Sequence, residues 1–508
     1  MSNQGLKLPF RKLSNMTRLL LILCAGLAAG AAAVFLDNPF YVLVGLVGVI
    51  VLFITLRTPE IGLFALVFMT YIRLSDVLIE YHGLPSIAKL YLPFLIGLLL
   101  YRWLFHREEP QGWVRALIVL TLYGVVIGGS VIYAGNSSQA ESGFIDYIKD
   151  ALIALVIVVM LQRGAVLRRV IWALLFAGIF LGTLTTIQAA TGTYEFEYWG
   201  FGSAEIRNIA GEVNDYRVQG PVSSNYYAMF LVVLVPLALD RLWHERSKVM
   251  RGLAAWALVV CSVSILFTFS RGGLLALLVV LGLMLVRHPP RLWVTLTGLA
   301  GIILMLLLTP SEYLSRIGNL TQVISIAGGG EGQGSQLEEN ALRGRLSEMT
   351  VAAQMFGDYP ILGVGYNNFE VNYLDYSPEI GLDSRREGRA AHSLYLEIAA
   401  ETGIIGLSVF SFIMIVYFHG LWQSYRRFSR VGFQDYADIT AAFAIGVLGF
   451  LICSVFLHSA YPRYFWLLVG IGLAIPQIAL NETSGWFTSY KQQPEELSEK
   501  NSRIMSNE

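Results

Sequence analysis

Cysteine is almost missing from this chain of 508 residues: there are three, Cys24, Cys261 and Cys453. All three fall inside apolar runs, which argues against a disulfide framework and against a thiolate zinc site. Charge is scarce too. Asp, Glu, Lys and Arg make up 14% of residues, against about 25% in an ordinary soluble chain. The net formal charge is zero, so whole-chain charge implies no nucleic-acid partner and only its distribution is informative. Metal-ligand patterns are also wanting. The segments assigned below to the outer side hold no Asp-x-Asp, and no two histidines stand at i, i+4. The single Glu-x-Glu, Glu195 and Glu197, is more often a solvated loop than a ligand set. Gly363-Val364-Gly365-Tyr366-Asn367-Asn368-Phe369 lacks the third glycine and the strand context of a dinucleotide-binding turn. No internal repeat is visible.

What the chain has in abundance is apolar sequence, 55% of residues with a mean hydropathy of +0.59. Runs of about 18 or more apolar residues predict an all-α polytopic membrane protein with about 12–14 transmembrane helices. The expected spans are roughly 18–36, 40–56, 60–79, 86–105, 113–133, 144–161, 167–190, 223–243, 252–269, 272–287, 292–308, 392–418, 437–458 and 464–480. Lys7, Arg11, Lys12 and Arg18 before the first run mimic a secretory signal. With so many spans following, the reading preferred here is an uncleaved first span.

Placing the N-terminus in the cytoplasm makes every second loop cytoplasmic, and those loops carry the arginines. Examples are Arg102, Arg107 and Arg115, then Arg163, Arg168 and Arg169, then Arg426, Arg427 and Arg430. The short turns between them, such as 37–39, 80–86 and 134–143, hold no Lys or Arg. This positive-inside alternation predicts the orientation. The expected organisation is a cytoplasmic N-terminus 1–17, spans over 18–190, an outward loop 191–222 and spans over 223–308. A large outward loop 309–391, spans over 392–480 and a disordered cytoplasmic tail 481–508 follow. Within the large loop, 326–336 is Gly-rich, 340–356 has helical character, Pro360 ends that helix and Gly363-Val364-Gly365 makes a turn.

Cations on the outer side run against this trend and need a reason. Arg271 lies in Thr268-Phe269-Ser270-Arg271-Gly272-Gly273, a tight turn between two spans. It either snorkels to lipid headgroups or binds a phosphate that the glycines admit to the backbone. Arg217 sits similarly above a span, in Tyr216-Arg217-Val218-Gln219-Gly220-Pro221-Val222-Ser223-Ser224-Asn225. Arg343 and Arg345 flank Gly344 at the expected start of the loop helix. His392 opens the span after the large loop. At 100° per residue it shares a face with Ala399, Gly403 and Gly406, so the helix is expected to pack closely on a neighbouring helix. Such a histidine either satisfies a helix end or acts as a base. A helix N-terminus and the nearby Arg385, Arg386 and Arg389 disfavour the imidazolium, and a neutral imidazole accepts a proton. Glu397 and Glu401 lie about 140° and 180° round the helix, so an orienting partner must come from elsewhere in the fold.

These residues resemble the O-antigen ligase and polymerase superfamily of bacterial membrane glycosyltransferases. The hallmark, His followed by Asn, Ser or Gln, nine residues and Gly-x-x-Gly, is matched by His392-Ser393, nine residues and Gly403-Ile404-Ile405-Gly406. Tyr216-Arg217 to Asn225-Tyr226-Tyr227-Ala228 is similar to the Arg…Gly…Pro-Asn-x-x-Ala segment, with Ser224 where the family usually has Pro. Phe269-Ser270-Arg271-Gly272-Gly273 is similar to the Ser-Arg-Gly turn. Gly344-Arg345 with Asp358-Tyr359-Pro360-Ile361-Leu362-Gly363-Val364-Gly365 is similar to the loop helix and the Pro-x-x-Gly-x-Gly turn. The likeness runs over about 215–410 and does not reach motifs in the earlier spans.

The resemblance implies transfer of a glycan from undecaprenyl diphosphate to an acceptor hydroxyl, either a glycan or a lipid A core. The reaction would take place on the outer face of the bacterial inner membrane, within the lipid bilayer, without metal or cofactor. It assigns His392 to acceptor activation and Arg217, Arg271 and Arg345 to the lipid diphosphate, with Arg343, Ser270, Asn225 and Ser393 in support. A ligase and a polymerase share these motifs. A lipid-linked-oligosaccharide transporter is the alternative of another class, but it should show inverted repeats and broken helices, neither of which the sequence suggests.

Overall fold

The computed structural model describes residues 39–209, 212–289, 336–382, 387–458 and 462–505. It is built of helices. In chain order they begin with α1 (Pro39–Arg57), α2 (Pro59–Tyr71), α3 (Leu74–His82), α4 (Ile87–His106), α5 (Trp113–Ser130), α6 (Ser137–Met160) and α7 (Gly164–Thr191). After a hairpin of β1 (Ser203–Ile209) and β2 (Glu212–Gln219) come α8 (Ser224–His244), α9 (Lys248–Phe267), α10 (Arg271–Arg287), α11 (Gln336–Asp358) and α12 (Phe369–Ile380). The chain closes with α13 (Leu394–Val431), α14 (Gln434–Cys453) and α15 (Pro462–Met505).

Among the described residues, 8 helices are long and apolar enough to cross a membrane, or up to 9 if α2 and α3 count as one span bent by 52°. Expected spans 18–36 and 292–308, the Gly-rich segment up to 335, Arg385 and Arg386 lie outside the described residues. Each of the other expected spans coincides with a helix or, at 60–79, with the bent pair. Some of those helices fall short as spans. α10 has 17 residues, and α6 carries Asp146, Lys149 and Asp150 near its middle.

The bundle is organised round α8. All residues from Ser224 to Arg241 except Asn225 are buried, as expected of a helix that is apolar on every side. It packs against α7, α9, α10 and α14. Its Pro236 is tolerated because neighbouring helices can compensate a freed backbone group in a membrane bundle. On the other flank α15 packs against α6 and α13. The last helix runs on to Met505, so the backbone after 481 is helical where composition predicted no structure. The polar 191–222 segment holds a feature the sequence did not announce, the antiparallel β1–β2 pair, which runs from Ser203 opposite Gln219.

α11 starts at Gln336, which places Arg343 and Arg345 about two turns inside it rather than at its start. It packs on α12 and on the beginning of α13. A small second core, with Val351, Met355, Val364, Phe369, Tyr373 and Ala400, seals that contact.

Candidate functional site

α13 is regular as far as Thr402. Gly403 then takes φ 62° and ψ −162°, a region open essentially to glycine alone. The break opens the helix, and the segment 360–365, a turn followed by two positive-φ glycines, lies in the gap. Val364 and Gly365 donate to the carbonyls of Ala400 and Glu401 at 2.9 Å, and Ile404 donates to the carbonyl of Pro360 at 2.8 Å. Gly363 (φ 71°) and Gly403 face backbone so closely that a Cβ on either would collide with the opposite strand. Glu401 Oε1 accepts from the Phe369 N–H at 3.0 Å. Of the small residues of α13, Gly403 therefore seats a loop. Their shared face on an unbroken helix does not exist, because the chain turns out of helix at one of them. The expected absence of broken helices is corrected at the same place and at the α2–α3 bend. The Gly403 break is tolerated because its freed groups are bonded within the protein.

His392 stands just before α13, with Ser393 as the helix N-cap, and not in its first turn. Its backbone is left-handed, φ 47°, which turns the ring back toward α11. There Nδ1 lies 2.8 Å from Oε2 of Glu348, a residue whose side chain is buried, and 3.2 Å from the carbonyl oxygen of Ala390. The other Glu348 oxygen accepts from Arg389 Nη1 at 3.1 Å, and Arg389 also pairs with Glu387 at 3.0 Å. A carboxylate thus stands between Arg389 and the imidazole, where the sequence reading expected bare arginine.

On the opposite side His392 faces His458, with ring centroids 5.2 Å apart. Burial, and secondarily His392, hold His458 well below the ordinary histidine range, at about 4. Its Nδ1 is buried and makes no hydrogen bond. Its carbonyl accepts from Tyr226 Oη at 2.7 Å.

Tyr226 leads directly to the other motifs, since it follows Asn225 in the first turn of α8. Ser224 occupies the first helical position, where a proline would be equally at home, so the departure from the family pattern leaves the turn intact. Arg217 is buried and donates through Nε to the carbonyl of Thr268 at 3.0 Å and through Nη2 to that of Phe269 at 3.2 Å. Nη2 is also 3.4 Å from Asn225 Oδ1. Arg217 therefore clamps the turn that carries Ser270 and Arg271. Ser270 Oγ caps α10 by accepting from Gly273 at 3.3 Å. Arg271, half-buried, opens that helix, and Cys453 Sγ lies 3.6 Å from the Gly272 carbonyl oxygen. Of the loop-helix arginines, Arg343 is half-buried and Arg345 exposed. Arg345 stands three residues before Glu348 and so on the same side of α11.

Residues 256–411 match the family model described as O-antigen ligase. Over that stretch the chain is similar to the O-antigen ligase superfamily. The match points to ligase- or polymerase-like function. No curated protein matches the chain. The matched stretch takes in the Ser270-Arg271 turn, α11, the 360–365 segment, His392 and the Gly403 break. It leaves out Arg217, Asn225 and His458, which the fold brings to the same place.

Sequence reasoning missed Glu348 and His458. Glu348 falls within the expected loop helix, but nothing local in the sequence pairs it with His392. His458 sits at the end of an apolar run, and its only sequence signal is that it is a histidine there. Among the other expected residues, Glu195 and Glu197 are exposed. Arg73 and Arg463 both bind Asp76, at 2.8 and 3.1 Å.

Proposed function

We propose that this protein transfers a glycan from undecaprenyl diphosphate to an acceptor hydroxyl on the outer side of the membrane, in the manner of an O-antigen ligase. The observation that carries the proposal is convergence. The turn from Cys453 to His458 touches Gly272 beside Arg271, Tyr226 beside Asn225 and the ring of His392. Motifs far apart in the chain thus meet around one short segment.

In this reading His392 takes the acceptor proton. The Ala390 carbonyl, hydrogen-bonded to Nδ1, orients the ring so that Nε2 serves as the base, and the Glu348 carboxylate beside Nδ1 stabilises the imidazolium that forms. Arg271 and Arg345 neutralise the diphosphate leaving group, work that cations perform without a metal. Arg217 has its Nε and Nη2 engaged by backbone and Asn225, which supports a positioning role for the Arg271 turn over direct phosphate binding. Ser393 occupies the N-cap position behind the base. In-line attack would invert the anomeric centre.

Deleting the gene and running surface polysaccharide on a gel tests the reaction. Finished polymer left on its lipid carrier indicates a ligase, single-repeat products a polymerase, and an unchanged pattern overturns the proposal. Metal independence is tested separately on purified protein. Initial rates in EDTA, taken well below the unfolding temperature, should match those without it. Loss of activity restored by Mg²⁺ or Mn²⁺ would refute the arginine account.

A further inference from the structure

The ends of α8, α10 and α14 remote from His392 carry a second cluster, which the proposed transfer does not use. His244 closes α8, His288 follows the last residue of α10, and Asp438 lies in the second turn of α14. Nε2 of His244 is 3.5 Å from Asp438 Oδ2, and Nε2 of His288 is 3.6 Å from Asp438 Oδ1. The two rings are 5.5 Å apart at 65°. One nitrogen from each histidine and one carboxylate oxygen all lie within 4.8 Å of one another. Nitrogen and oxygen ligands at about 2.0–2.1 Å from a tetrahedral ion stand about 3.3 Å apart, so a small contraction closes the set.

Two further observations point to a ligand. His288 Nε2 is buried and makes no hydrogen bond, and such an orphaned polar atom is costly in a packed interior. The groups around the cluster are arranged to aim the donors. His244 Nδ1 is 3.0 Å from Asp240 Oδ1, the carboxylate–imidazole contact that fixes the tautomer and leaves Nε2 to bind a metal. Asp438 Oδ1 accepts from Arg287 at 2.8 Å and from Gln434 at 3.1 Å, which leaves Oδ2 on the His244 side.

We propose that His244, His288 and Asp438 bind one divalent transition ion of the zinc class, stapling α8, α10 and α14 together. Two imidazoles with one carboxylate suit such an ion, whereas Mg²⁺ and Ca²⁺ prefer oxygen donors. The ion's role is structural and independent of the transfer reaction, because its site is at the far end of the helices that carry Asn225 and Arg271.

The test uses tag-free, full-length protein in detergent, stripped with chelator and supplied with Zn²⁺ or Co²⁺. The expected results are one tightly held ion per chain by mass spectrometry, a higher unfolding temperature with Zn²⁺, and a visible Co²⁺ band of low-symmetry, nitrogen-containing coordination. His288→Gln should weaken Zn²⁺ binding by at least about tenfold and abolish the thermal shift, while His419→Gln, at an exposed site outside the cluster, should change neither. The proposal is overturned if wild-type protein holds no stoichiometric ion, or if folded His288→Gln protein binds as tightly as wild type. Should that variant not accumulate, the wild-type Co²⁺ spectrum decides: a band like that of the hydrated ion rejects the site.

Discussion

His392 holds a left-handed backbone conformation, φ 47°, that costs a residue with a Cβ about 1–2 kcal/mol. The fold maintains it, and with it the ring's place between Glu348 and His458. If the ring is a base, His392→Ala should lower turnover by about 10²–10⁴ while donor binding survives. Glu348→Gln keeps the shape but withdraws the carboxylate, so it should cost on the order of 10²–10⁴ in kcat with little change in KM. Single-turnover rates and donor-binding isotherms on the purified variants check both. Wild-type rates in His392→Ala, or loss of the protein from the membrane, return the residue to a helix-end role. His458 offers a pH test. Its folded value of about 4 is below the ordinary value of about 6.5, so between these the unfolded chain binds more protons. The stability it contributes is therefore complete above about pH 6.5 and is lost as pH falls toward 4. His458→Gln should reduce the drop in unfolding temperature between pH 7 and pH 5, and equal drops in the two proteins would show that His458 is not held neutral.

At the scale of elements, the helices were readable and their interruptions were not. Apolar runs announce helices because a membrane leaves the backbone no other local way to satisfy its hydrogen bonds. The same runs announce neither the Gly403 break nor the β1–β2 hairpin, since both depend on what packs against them. At Gly403 the decisive partner is the 360–365 backbone. Gly403→Ala is expected to cost about 1–3 kcal/mol in backbone strain alone, and more from the collision with Ile361. It should lower the unfolding temperature in detergent and disturb the seat of His392, whereas Gly357→Ala, in a helix with open space around it, should be nearly silent. Equal melting of the two variants would mean that the loop and helix do not interlock as described.

For the whole molecule, the alternation of Arg-rich and Arg-free turns predicts that the His392 end of the bundle faces outward. Gly381 and Arg246 are exposed at opposite ends of the bundle. With the native cysteines replaced, an impermeant thiol reagent added to intact cells should label Gly381→Cys and miss Arg246→Cys. The reverse pattern would invert the orientation and end the proposal of an outer-face reaction.

Composition and spacing by themselves determined that the chain is a helical membrane protein, which motifs it carries, and that His392 and the arginines of those motifs are the groups to look for. Each of these follows from local sequence, because hydropathy over about 18 residues and turn chemistry over a few are local properties. Tertiary structure alone decided the partners. It set Glu348 and His458 against His392, turned Arg217 into a clamp on the Arg271 turn, and brought His244, His288 and Asp438 together from three helices. An apolar helix face states that it will be buried but not against what, so every contact between distant segments waited on the packing of the bundle.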